Sequence, residues 1–71
     1  MAGEINMAGL TDREREIVSL LSQGKRLTEI ATMLHISYST VTWHAQNLRA
    51  KTDTLSTFEL AVKAARNPTT R

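Results

Sequence analysis

The apolar residues of this chain recur at three- and four-residue intervals and nowhere alternate convincingly at period two. That pattern calls for helices and argues against a sheet. Ile17, Leu20 and Leu21 share one helical face, with Val18 beside it. Ile30, Ala31 and Leu34 share a second, and Val41, Ala45 and Leu48 a third. Thr11 with Glu14 three residues later is a capping-box pattern, and Leu10 before it can close a hydrophobic staple. Gly24 supplies a stop that tolerates positive φ, and Ser37 is a natural N-cap. In the last segment Phe58, Ala61, Val62 and Ala65 read as the inward stripe, and Asn67-Pro68 ends it. The expectation is an all-α domain of four helices, near residues 11–23, 27–35, 38–51 and 56–67. Residues 1–8 read as a leader or linker stub, 9–67 as the domain and 68–71 as a frayed tail.

A chain of 71 residues buries only about 60% of its unfolded surface. With no cysteine, neither a disulfide nor a thiolate metal site can staple it. His35 and His44 stand alone, so no metal ion and no cofactor is expected. No nucleophile elbow, phosphate loop or paired-carboxylate site is present, which excludes an enzyme from the expectation. No apolar run approaches the ~20 residues that span a bilayer. The first nine residues lack the basic start and apolar stretch of a secretory signal. The expected location is the cytoplasm, at the nucleoid, without a membrane partner.

Charge is unevenly spread. Residues 1–24 carry four acids against two arginines, and residues 25–71 carry seven Lys or Arg against three acids. A basic C-terminal portion fits a phosphate-backbone partner. The second and third segments, joined by a tight turn at His35-Ile36-Ser37, form a helix-turn-helix pattern. At 100° per residue, the face opposite Val41, Ala45 and Leu48 holds Ser39, Trp43, Gln46 and Ala50, flanked by Thr42 and Asn47. It contains no acid. Gln and Asn can bond bidentately to an adenine edge, and a threonine methyl can touch a thymine methyl. The residues at the start of this helix can take phosphate on amides and hydroxyls. Lys25 and Arg26, with Arg49 and Lys51 at the far end, can clamp the backbone on both sides of a groove.

The stretches Gly9-Leu-Thr-Asp-Arg-Glu-Arg-Glu-Ile-Val, Gln23-Gly, Glu29-Ile-Ala, Leu34, Ile36-Ser and Ser39-Thr-Val-Thr-Trp-His closely resemble the LuxR/NarL/GerE-type helix-turn-helix family. The resemblance covers about residues 9 to 66. It implies a bacterial transcription regulator whose third helix enters the major groove of double-stranded DNA and whose fourth supports a homodimer on paired half-sites. Carried over by position, Thr42, Trp43 and Gln46 read bases, while Ser39, Thr40, Arg49 and Lys51, with Asn47 beside them, contact phosphates. Leu60 and Ala64, opposite Phe58 and Val62, are the expected dimer contact. His44 matches the family's histidine within the recognition helix and is expected to be half-buried. The chain departs from the family in three places. Thr42 and Gln46 stand where basic residues are common, Lys51-Thr-Asp replaces Lys-Leu-Gly, and Thr57 replaces an arginine. Fewer cations imply weaker non-specific attraction.

Two rival readings use the same fold. One is a protein-interaction module, an anti-activator of a full-length regulator or an adaptor to RNA polymerase. The other is a sigma-factor region-four-like domain.

Overall fold

The computed structural model describes residues 7–66. A short 3-10 turn, Met7–Gly9, leads into four helices: α1 (Asp12–Ser22), α2 (Leu27–Leu34), α3 (Tyr38–Thr52) and α4 (Thr57–Arg66). The described residues include no strand. The expected boundary at Asn67-Pro68, the tail and most of the leader lie outside the described residues.

The starts of the helices follow from side-chain chemistry. Thr11 Oγ1 accepts the Glu14 N–H at 3.1 Å, and the Glu14 carboxylate accepts the Thr11 N–H at 2.9 Å. This reciprocal pair satisfies two otherwise orphaned amides of α1. The expected staple does not form. Arg15 stands one turn in, and its guanidinium donates to the Leu10 carbonyl at 3.0 Å. Ser37 Oγ accepts the Thr40 N–H at 3.1 Å and so starts α3. Ser56 does the same for α4 by accepting the Glu59 N–H.

The stops share one geometry. After α1, the Lys25 N–H reaches the Leu20 carbonyl at 3.1 Å across Gly24, whose φ is +86°. After α2, the Ile36 N–H reaches Ala31 at 3.0 Å across His35. After α3, the Thr54 N–H reaches Arg49 at 2.9 Å across Asp53. Each is a Schellman stop with its pivot in the left-handed region. His35 and Asp53 hold φ of 58° and 57° with a Cβ attached, which is sterically disfavoured. Replacing Asp53 with glycine is therefore expected to raise stability by about 0.5–1 kcal/mol, read as a higher midpoint in urea unfolding.

Ile17, Val18 and Leu21 of α1, Ile30 and Ala31 of α2, Val41 and Leu48 of α3, and Leu60 and Ala64 of α4 meet in one core closed by Leu10. Helix α1 lies chiefly against α4, and α2 against α3. Small Ala31, Ala45 and Ala64 let neighbouring backbones approach.

One assignment is reversed. Leu60 and Ala64, expected to face a second copy, are completely buried in the domain's own core, while Phe58 is 79% exposed. Val62 and Ala65 also face solvent, and Ala61 is half-buried. Two attachments accompany this rotation of α4. Glu59 accepts the Leu55 N–H at 2.6 Å, and the Lys63 ammonium donates to the Thr52 carbonyl at 2.6 Å. With them α4's 60/64 edge faces α1, and a cation stands at the negative end of α3.

Candidate nucleic-acid interface

The turn between α2 and α3 fixes how the third helix is presented. The Schellman stop at His35 sends the chain back at once, and Ile36 tucks against the core. Val41, Ala45 and Leu48 then hold α3 by one edge. The opposite edge stands free, as the spacing predicts: Ser39, Trp43, Gln46 and Ala50 are exposed, with Thr42 and Asn47 half-buried. Fifteen residues make a rod about 22 Å long. An α-helix of this kind fits a major groove about 12 Å wide.

Each predicted reader has a defined state. Trp43 is 59% exposed and meets the half-buried His44 ring edge-on, with centroids 5.1 Å apart. The Thr42 hydroxyl donates to the Ser39 carbonyl at 2.8 Å. The Gln46 and Asn47 amides have no hydrogen-bond partner among the described residues, so their donors and acceptors are available. At the start of α3, Ser37 serves the amides of Thr40 and Val41, through its side chain and its carbonyl. The Tyr38 and Ser39 amides precede the first helical bond and are available to an anion. Thr40 Oγ1 pairs with Ser37 Oγ at 2.9 Å.

The cations are less available than the sequence suggests. The Lys51 ammonium, expected to meet phosphate, lies 2.8 Å from the Glu14 carboxylate of α1. It serves as an internal strut, because Glu14 is buried and needs a counter-charge. Burial pushes the Glu14 carboxyl upward, but the hydrogen bonds from Lys51 and the Thr11 amide, with the lysine's charge, prevail and hold it below the ordinary carboxylate range. Arg49 folds back until Nη1 is 3.5 Å from the Leu55 carbonyl, with Nε shielded and without a hydrogen bond. Arg26 is exposed and Lys25 half-buried at the start of α2. No sequence signal marks the Glu14–Lys51 pair, because its members lie 37 residues apart.

Among the described residues no group of three or more His, Cys, Asp or Glu is placed to hold a metal ion. No helix among them is long and apolar enough to cross a membrane.

Residues 8–64 match the family described as bacterial regulatory proteins, luxR family. An uncharacterized response regulatory protein of Escherichia coli, YgeK, is 44% identical over 57 residues, covering 80% of this chain and 39% of the relative. The monoamine regulon transcriptional regulator of Klebsiella aerogenes is 45% identical over 51 residues, 72% of this chain and 22% of its own. The transcriptional regulatory protein LiaR of Bacillus subtilis is 41% identical over 58 residues, 82% and 28% respectively. The chain thus spans well under half the length of these relatives. Among solved structures there is no significant match. The four-helix arrangement and the match over most of the chain agree: the chain belongs to the luxR family of bacterial regulatory proteins, as a four-helix domain with a helix-turn-helix.

Proposed function

We propose that this domain binds specific duplex sequences with α3 in the major groove, as one half of a dimer on paired half-sites. The observation that carries the reading is the free edge of α3, which is exposed and acid-free and holds the Gln46 and Asn47 side-chain amides with no hydrogen-bond partner among the described residues. Thr42, Trp43 and Gln46 read bases. Ser39, Thr40 and Asn47 take phosphates together with Lys25, Arg26 and Arg49, while Lys51 stays with Glu14.

Corrected for the rotation of α4, the surface offered to a second copy is Leu55, Phe58 and Val62. Phe58 borders an open cleft of about 290 Å³ lined by Leu21, Leu27 and Ala61 among others. A knob beside its own socket is what a two-fold, isologous contact uses. The patch is small next to the roughly 800 Å² per partner of a stable interface, so pairing is expected on DNA rather than before it.

The test is a titration of selected duplexes across a salt series. Gln46→Ala should relax preference at one base pair by about 1–3 kcal/mol, while Arg49→Ala should weaken binding to all sequences and flatten the salt dependence. Equal affinity of Gln46→Ala across an operator panel would remove Gln46 from the reading set.

A further inference from the structure

The free edge of α3 lacks the residue type that most often reads guanine. Arginine or lysine bonded to the guanine O6 and N7 is the commonest specific major-groove contact. Between Tyr38 and Ala50 the one cation is Arg49, which is folded back on Leu55. The largest group on the edge is instead apolar. Trp43 holds a 59% exposed side chain whose only ring neighbour among the described residues is His44. One residue earlier, the Thr42 hydroxyl proton is given to the Ser39 carbonyl, so that side chain keeps only acceptor lone pairs and its methyl to offer.

A tryptophan left in water forgoes one of the largest burial gains a side chain can make. In a duplex it recovers that gain only against an apolar group, and the apolar group of the major groove is the C5-methyl of thymine. Gln46, three residues on and on the same edge, is suited to the adenine edge. Apolar and amide readers side by side describe an A·T-rich core site.

Resting on the groove-binding reading above, we infer that this domain reads its half-site mainly through thymine methyl groups, with Trp43 as the principal contact and the Thr42 methyl beside it. The edge-on His44 ring limits how the indole can turn, so the contact surface is preformed. The ligand class is duplex DNA carrying thymine at one or two fixed positions of each half-site.

The experiment uses the whole chain and duplexes selected from a random pool. Each thymine of the selected half-site is replaced in turn by deoxyuridine, which deletes the methyl and keeps base pairing. One or two replacements should weaken binding about fourfold each, the worth of one buried methyl-sized group. In Trp43→Ala at least one of these responses should fall below about 1.5-fold, because the partner of that methyl is gone, while a response at a thymine beside Thr42 is retained. Trp43→Leu should restore part of the sensitivity. Trp43 is exposed, so both variants should keep the parent's unfolding midpoint. Specific binding in which no position responds to loss of the methyl overturns the inference and leaves the groove reading intact. So does a set of methyl responses left unchanged in Trp43→Ala. Failure to select any duplex overturns both, and a Trp43 fluorescence change with a protein partner alone would then place this edge in a protein interface.

Discussion

Leu60→Ala is expected to cost the domain about 3–4 kcal/mol, while Phe58→Ala changes stability by less than about 0.5 kcal/mol. Leu60 is fully enclosed by α1 and its neighbours, and truncating a buried leucine removes its transfer energy and leaves a cavity. A loss of that size is a large part of the total stability of a chain this small. Phe58 is larger but 79% exposed, so its truncation touches little of the core. Its effect should appear in pairing: half-site cooperativity on DNA falls in Phe58→Ala with the unfolding midpoint unchanged. Urea unfolding followed by circular dichroism, beside sedimentation on and off DNA, reads both. The reverse outcome, a costly Phe58 and a silent Leu60, would restore the opposite face of α4 to the core.

Lys51→Met is expected to cost about 2–3 kcal/mol, because it leaves the Glu14 carboxylate buried without its counter-charge. The Thr11 amide still holds that carboxylate, and the lysine is itself partly exposed, so the figure sits below the full range for a buried pair. The pH dependence fixes the sign. Glu14 titrates below its unfolded value in the parent, so its contribution is complete above the ordinary carboxylate range and is lost as pH falls through the lowered value. In Lys51→Met burial acts with less opposition and the carboxyl titrates higher. The gap between parent and variant should therefore narrow on acidification, as protonation removes the unpaired charge. Glu14→Gln should flatten the acid limb of the parent's profile. A constant gap from neutral to acidic pH would show that the lysine stabilises by packing alone.

Leu60 and Lys51 also mark where sequence reasoning stopped. Helix α1, its capping box, the Ser37 cap and the free edge of α3 were legible because each rests on spacings of three or four residues. The rotation of α4 was not, because that helix carries two apolar strips on nearly opposite sides. Side-chain size favours Phe58, whereas Leu60 is the one buried, in a rotation compatible with the bonds of Glu59 to Leu55 and Lys63 to Thr52. The engagement of Lys51 was hidden for a related reason: a cation at the end of a recognition helix looks the same in sequence whether it faces solvent or a buried acid. The turn at His35-Ile36-Ser37 was legible, but the left-handed pivots at His35 and Asp53 carry no glycine and so gave no local signal, whereas Gly24 did.

Along α3, folding and reading are divided between different residues. Val41, Ala45 and Leu48 are buried against the other helices, while Trp43 and Gln46 are exposed and take no part in the core. Substitutions on the free edge should shift operator preference with little effect on whether the domain folds. The scaffold can therefore drift from one target to another through single exchanges, each intermediate remaining folded, and the same property makes the edge a suitable place to install a chosen specificity.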